Sequence, residues 1–499
     1  MVILIFLLAT QLAFADHYQR GMELAGKGSW REAREELLAG SVESPRDKRF
    51  MIELAGVEYR LGDRNLARNY LRRALDLDPA DTYAIDFIAT LYFLDGNAEA
   101  ALQYWNRIGK PRIQNIEISP HPKVRAELLD RALAFAPGDV LTLSRYRSTM
   151  AWMTGLDTFE GLRLDLQARD DGGFDATFRW RELPRWVDAA QALAGVPFQI
   201  LEFREHLGQD GVTLAALYRF DAQKRRAGLT YSQPLKGNPK VRYSIFTDAR
   251  SETWNIGQPA DFRVRRVAAG AAVRFIPFGR FSWETGITLA DRQFPGAPGL
   301  ISGPSLAYSV SFRYRFLNIP TRRLTADFRG EGEMGRLFDG TAGGLFARTD
   351  WSVRSQWFPK PTGTDYQVLA RISAGAVMGK APLDELFMLT YNRDYDLPLR
   401  GHSSTTDGKR GSAPIGRRYV LANVDFYKSI WHPSLVTFDV GPVLDLGRVW
   451  DQIAPMERGK VLVDAGAQLR VGLPGGFQVI LSYARDLRGG SGVFDSFTR

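Results

Sequence analysis

Few residues in this chain could carry out a reaction. Its five histidines stand at 17, 121, 206, 402 and 432, and no two have the spacing of metal ligands. There is no Cys, which rules out a thiolate nucleophile, a Cys-ligated metal and a disulfide scaffold. No Gly-x-Ser-x-Gly elbow occurs, and no phosphate loop ending in Gly-Lys-Ser/Thr. Glu284 and Asp464 could be put forward as acids or bases, but they fall on strand faces that are polar in any case. What remains is electrostatic. Leu399-Arg400-Gly401-His402 lies in a long loop, Gly379 to Arg417, and is followed by Asp425 and by Leu444-Asp445-Leu446-Gly447-Arg448-Val449-Trp450-Asp451. A guanidinium presents a planar fork that matches a carboxylate with two parallel hydrogen bonds. If Arg400 is buried, it must meet such a group, because an unpaired buried cation is costly. On an ordinary solvated loop it would have no such need.

The segments around this pair read as β-strands with period two. In Tyr419 to Tyr427, Val420, Ala422, Val424 and Phe426 share one face, and Leu421, Asn423 and Asp425 the other. In Val436 to Gly447, Phe438, Val440, Leu444 and Leu446 alternate with Thr437, Asp439, Gly441 and Asp445. In Val463 to Leu473, Ala465, Ala467, Leu469 and Val471 oppose Asp464, Gln468 and Arg470, and Phe477, Val479, Leu481 and Tyr483 repeat the apolar face. Apolar residues facing out and polar residues facing in is the pattern of a transmembrane β-barrel. By register, Asp425 and Asp445 both point inward and are the expected partners of Arg400. About fourteen strands can be counted from Pro197 onward. Pro277-Phe278-Gly279, Asn318-Ile319-Pro320, His432-Pro433-Ser434 and Pro474-Gly475-Gly476 are short turns, expected on the periplasmic side. The stretches near 250–260, 293–303, 380–416 and 451–460 are longer, as on the extracellular side. Trp186 to Ala194 reads as helix, and the chain ends at Arg499 without a terminal aromatic, so the first and last strands are the doubtful pair.

Upstream, Gly28, Gly62 and Gly96 recur at a period of 34 residues, as do Ala33, Ala67 and Ala101. Pro45 and Pro79 follow the first two units, and Leu37, Leu71 and Trp105 occupy one packing position. This is the period and residue logic of tetratricopeptide (TPR) repeats, which are usually binding surfaces for proteins or peptides and can also be spacers. After Pro111 the pattern changes to strand (Ile113, Ile116, Ile118), helix (Pro122 to Phe135), turn (Ala136-Pro137-Gly138-Asp139), a second helix to about Leu156, and two strands, Phe159–Arg169 and Phe174–Leu183. Asp170-Asp171-Gly172-Gly173 joins these strands with strong hairpin chemistry.

The apolar run Val2 to Ala15 ends in Ala13-Phe14-Ala15, a small-x-small cleavage pattern, and predicts a secretory signal cut after Ala15. Its n-region has no Lys or Arg, and a buried N-terminal helix is the other reading. A transmembrane helix needs about 20 apolar residues, more than this run has. The net charge of +9 is spread along the chain rather than clustered with aromatics, which argues against nucleic-acid binding and suits a polar lumen or anionic lipid headgroups.

Taken together, the Arg-Gly loop, the downstream Asp-x-Gly strand and the export signal resemble the BamA/TamA superfamily of outer-membrane insertases and translocases. The resemblance implies that the long loop folds into the barrel lumen, that Leu399, Arg400, Gly401 and His402 form its tip, and that Asp425, Asp445 and Gly447 belong to the wall beside it. The family has an aromatic where His402 stands and often a longer acid where Asp425 stands, which makes Asp425 the weaker assignment of the two partners. Gly401 would let the loop turn sharply against the wall. The middle module, through Pro137-Gly138-Asp139-Val140-Leu141 and Glu182, resembles a POTRA domain, which takes up extended clients at a sheet edge. The expected organisation is a signal peptide at 1–15, TPR repeats at 16–110, a POTRA-like α/β module at 111–184, and an antiparallel outer-membrane barrel at 185–499. The barrel would have about sixteen strands, an even number. The implied function is insertion or translocation of client polypeptides, without catalysis, cofactor or metal. A periplasmic accessory protein on the repeats and outer-membrane lipid are further expected partners. The rival reading is a TPR-barrel porin that exports a polysaccharide, whose lumen should be rich in acids and aromatics.

Overall fold

The structure is a computed structural model. It describes residues 17–182, 195–221, 224–257, 260–339, 343–361, 363–392, 395–431, 436–452, 460–473, 477–490 and 492–498. The signal segment, the helical stretch read at 186–194, and the turns His432-Pro433-Ser434 and Pro474-Gly475-Gly476 lie outside them. No described helix is long and apolar enough to cross a membrane. The chain divides into two compact units: residues 1–115 with 137–143 and 166–176, and residues 116–136 with 144–165 and 177–499.

The first unit is built from paired helices: α1 (17–26), α2 (Trp30–Glu43), α3 (Lys48–Leu61), α4 (Arg64–Leu77), α5 (Thr82–Leu94) and α6 (Ala98–Trp105). Gly28, Gly62 and Gly96 take φ of +79°, +91° and +74° in the turns within the pairs, a conformation that a Cβ disfavours. Asp47, Asp63, Asp81 and Asn97 cap α3 to α6, each accepting a backbone N–H of the first turn. Ala33, Ala67 and Ala101 are fully buried, which lets paired helices approach closely. Leu37, Leu71 and Trp105 are buried with them, and the Trp105 indole donates to Asp86 at 2.8 Å.

The next elements are β1 (Ile113–Ser119), α7 (Ala126–Ala132), α8 (Leu143–Gly155), β2 (Glu160–Ala168) and β3 (Phe174–Arg181), with the strands in the order β1-β3-β2. Helix α7 is shorter than the Pro122–Phe135 expected. Arg125 is extended (ψ 139°) and donates its N–H to the Gln209 carbonyl at 2.9 Å, which keeps it out of the helix. Helix α8 is tied to the strands that follow. The Trp152 indole donates to the Ile276 carbonyl (2.8 Å), Ser148 Oγ accepts the Gly279 N–H (3.2 Å), and Lys240 lies 4.0 Å above the Trp152 ring.

The second unit is dominated by one antiparallel sheet. Its strands are β4 (Ile200–Leu207), β5 (Val212–Phe220), β6 (Lys224–Leu235), β7 (Asn238–Trp254), β8 (Phe262–Phe278), β9 (Phe281–Gln293), β10 (Gly303–Ile319), β11 (Leu324–Leu337), β12 (Gly344–Trp357) and β13 (Tyr366–Gly379). The long loop carries the short strands β14 (Phe387–Met388), β15 (Thr390–Asn392), β16 (Tyr395–Leu397), β17 (Thr405–Thr406) and β18 (Lys409–Arg410). Then come β19 (Ile415–Trp431), β20 (Thr437–Gln452), β21 (Leu462–Gly472), β22 (Gln478–Asp486) and β23 (Gly492–Thr498). Among the described residues the sheet has eighteen strands, fifteen of them seven residues or longer, rather than about sixteen. The three extra pieces, β14, β17 and β18, come from the loop laid against the sheet.

One face of the sheet is apolar and exposed. Val420, Val424, Phe426, Val440, Leu444 and Leu446 lie on it, as the alternation predicts. Phe477 departs from the pattern and is buried. The opposite face carries Asn423, Asp425, Asp445, Asp464 and Gln468, all buried beneath the long loop. The strand order places β23 beside β4. On either side of that junction β22 with β23 and β4 with β5 are each zipped along their length.

Candidate functional site

The register of β13 and β19 to β22 decides which side chains meet the loop tip. Arg371 stands opposite Asn423, Asn423 opposite Asp445, Asp445 opposite Asp464, and Asp464 opposite Asp486. Three aspartates therefore stand side by side on adjacent strands, with Asp425 one step along β19 on the same face.

The tip answers this row residue by residue. The Arg400 guanidinium grips Asp425 with both prongs, Nη1 to Oδ1 at 2.9 Å and Nη2 to Oδ2 at 3.1 Å. Its Nη1 also lies 3.2 Å from Asp445 Oδ1, and its backbone N–H donates to Asp445 Oδ2 at 2.9 Å. The Gly401 N–H donates to Asp464 Oδ2 at 2.5 Å. His402 has Nδ1 3.2 Å from the same oxygen and Nε2 3.7 Å from Asp486. Asn423 donates to the Pro398 carbonyl (2.7 Å) and to Asp445 (2.8 Å), fixing the approach to the tip. Tyr427 and Arg470 close the far side, each bonded to Asp425. The Arg400 side chain is 3 % exposed, so these bonds form away from water, where they are stronger and where losing one partner costs more.

The sequence-predicted residues fall as follows. Arg400 lies with Asp425 and Asp445, and Asp425, the weaker assignment, receives the two-pronged contact. Leu399 is fully buried in the apolar cluster that includes Leu389 and Leu421. Gly447 lies against leucines of the loop and wall. A Cβ there would come within 3.0–3.3 Å of Leu389, Leu399 and Leu421, so its role is space. Gly401 is also needed for space rather than for a sharp left-handed turn. Its φ is not among the positive ones, but a Cβ would sit 2.7 Å from both Asp464 Cγ and the Asp486 backbone nitrogen. Gly401→Ala should thus push the tip off the wall and lower stability by about 1–3 kcal/mol, as overpacking does. Heat-modified electrophoretic mobility of the folded protein would register this, and an unchanged transition would contradict the close approach.

Two features were missed in the sequence. Asp464 and Asp486 meet the tip; the alternation points Asp464 inward without giving it a partner in the loop. The second feature is a separate anchor at the root of the loop. Asp384 accepts from Arg250 (2.6 Å) and Arg292 (2.9 Å), Arg266 stands 3.7 Å away, and Arg292 also bonds Glu385. Burial alone would raise the Asp384 pKa, but Arg292, Arg250 and Arg266 hold it below the ordinary carboxylate range. No local signal marks this set, because its members lie on β7, β8, β9 and the loop. Among the described residues there is no group of acids and histidines that could hold a metal ion.

This fold has counterparts among solved structures. CdiB from Escherichia coli matches with a TM-score of 0.50 at 15% identity, over 78% of this chain and 74% of that one. CdiB from Acinetobacter baumannii matches with a TM-score of 0.46 at 13% identity, over 78% and 73%. BamA from Haemophilus ducreyi lacking POTRA domains 1–3 matches with a TM-score of 0.43 at 14% identity, over 78% and 84%. The chain has the fold of CdiB, and at such identities the likeness speaks for fold alone. No protein-family model and no curated protein matches the sequence.

Proposed function

We propose that the protein is an outer-membrane β-barrel that inserts or translocates client polypeptides. The sheet from β4 to β23 would be the barrel, its apolar face toward lipid and its polar face lining the lumen. The observation that carries the reading is the tip of the long loop, held inside by Arg400, Gly401 and His402 on four wall aspartates. A loop held this way is a plug that can be moved without unfolding the wall. The short turns, and with them α8, would face the periplasm. The helical pairs would be TPR repeats that recruit a client or accessory protein, and β1-α7-α8-β2-β3 would be a POTRA-like module that hands it on. The first and last long strands, β4 and β23, would form the seam at which the barrel opens sideways. An Arg-rich stretch of the polar face on β10–β13 differs from the acid-and-aromatic lining of a sugar path and disfavours the polysaccharide porin.

Depleting the protein from its own cells tests this. The outer-membrane and secreted proteomes should lose one or more proteins, while surface polysaccharide persists. Loss of a polysaccharide with an unchanged proteome would establish the porin instead. Deleting residues 16–108 should spare insertion of the barrel and abolish capture of partners, since the helical pairs bury a core of their own. Unchanged co-purification and client assembly would reduce the repeats to a spacer. Cysteines placed along β4 and β23 should, once oxidised, halt client assembly without unfolding the barrel, and full activity of the cross-linked protein would exclude lateral opening. The native chain has no Cys to interfere.

A further inference from the structure

The row that contains the tip's aspartates continues in the other direction with the opposite charge. Asp327 on β11 stands opposite Arg315 on β10 and Arg354 on β12, and Arg354 stands opposite Arg371 on β13. The neighbouring row holds Arg313 opposite Arg329. Five guanidiniums thus share this wall. Among the carboxylates that answer them are Asp327, bonded to Arg313 (2.5 Å) and Arg315 (2.9 Å), and Asp396 of the long loop, 3.4 Å from Arg371 and 3.5 Å from Arg354. Arg329 has no ion pair or hydrogen bond among the described residues, and its Nε is buried without a partner. The acidic part of the row, on β20–β22, is covered by the loop tip. In the basic part the Arg313 and Arg354 side chains are 44% and 34% exposed, while Arg371, 15% exposed, also donates to the Asp396 carbonyl of the loop.

Arg315, Asp327 and Arg354 lie within four residues of Ile319, Leu324 and Trp357, the strand ends at the short turns. Helix α8 is bonded to another turn of that set, between β8 and β9, through Ser148 and Gly279. The surplus of positive charge therefore lies toward the same end of the sheet as the turn that α8 meets. Like charges in a partly dry wall repel, and a guanidinium fork is satisfied best by a carboxylate.

We propose that this wall, with Arg313, Arg329, Arg354 and Arg371 at its centre, is a docking surface for an acidic, extended segment of a client polypeptide entering at that end. The proposal rests on the reading of the sheet as a client-passing barrel and names the chemistry that it selects. An extended chain exposes carboxylates at short intervals along one side, which a row of forks across adjacent strands can take in succession.

The test uses the purified full-length protein in lipid nanodiscs and a fluorescent deca-glutamate peptide, followed by anisotropy. The peptide should bind, and deca-lysine should not. Arg313→Gln combined with Arg329→Gln should weaken binding tenfold or more. Arg329→Gln alone breaks no described ion pair, so it keeps the test usable if the double variant folds poorly, and a loss of at least threefold is expected from it. A photo-reactive side chain in place of Ser352, the register partner of Arg329, should label the bound peptide. Equal binding of both peptides, unchanged affinity in Arg329→Gln, or no labelling at position 352 would overturn the proposal. Binding of dextran sulfate with no binding of deca-glutamate would do so too, in favour of an anionic polysaccharide. The depletion experiment fails separately: a protein that assembles clients yet ignores acidic peptides refutes only this inference.

Discussion

Arg400→Ala should free the tip of the long loop while the wall stays folded. The substitution removes the two-pronged contact to Asp425 and the cation beside Asp445, and leaves Asp445 buried without its charge partner and Asp425 with Arg470 alone. Breaking one side of a buried pair in this way costs about 3–5 kcal/mol. The loop should become open to protease, with cleavage at Arg410 or Lys409 several-fold faster than in the native protein. Asp445→Asn should act in the same direction and less strongly, because Asn can still accept the Arg400 backbone N–H. The two changes should be strongly non-additive in a double-mutant cycle, since each removes the other's partner. Additive effects on loop cleavage or heat stability would show that the two residues do not act as a pair.

The second large effect is expected at the root of the loop. Asp384→Ala takes away the carboxylate shared by Arg250, Arg266 and Arg292 and leaves only Glu385 to answer Arg292. Asp384 and Arg292 are 1% and 2% exposed, so water replaces little of the loss, and a cost of about 3–5 kcal/mol is again expected. Root and tip share no side chain. Arg400→Ala and Asp384→Ala should therefore add, and each alone should leave the loop held at one end. Hydrogen exchange would separate them, with 399–402 loosened by the first and 383–388 by the second. Uniform loosening by either variant would mean that the loop is held as one unit. The pH dependence has a definite sign. Asp384 is held below the ordinary carboxylate range, so its contribution is present at neutral pH, survives mild acid, and is lost as pH falls through the lowered native value.

These consequences depend on positions that the sequence discloses unevenly. The alternation of β19 to β22 is local, because successive strand side chains point to opposite faces. From it follow the inward direction of Asp425, Asp445 and Asp464 and the apolar face of Val420, Val424 and Leu444. The pairing of Arg400 with a carboxylate follows from the cost of burying a cation. The turn glycines 28, 62 and 96 and the buried alanines 33, 67 and 101 follow from a repeat, whose units must solve the same packing problem in the same way. In all of these, the residue's own chemistry or a fixed short spacing contains the answer.

The rest required the register between distant strands. Period two gives a face but not a height along the strand, so Asp445, Asp464 and Asp486 could not be aligned in one row from their spacing. The same row runs on into Asn423, Arg371 and Arg354, and its change of sign exists only once β13 is zipped to β19 across the 35 residues of loop between them. Asp384 finds three arginines from three strands because the loop crosses to β7–β9, a path that no local pattern encodes. Gly401 and Gly447 look alike in sequence as permissive glycines. Only the packed wall shows that what each supplies is room, for Asp464 and Asp486 at the first and for three leucines at the second. The sequence by itself determined which residues could be charged, small or apolar on a given face. The tertiary structure decided which of them meet, because strand pairing and loop path are collective outcomes of the whole sheet.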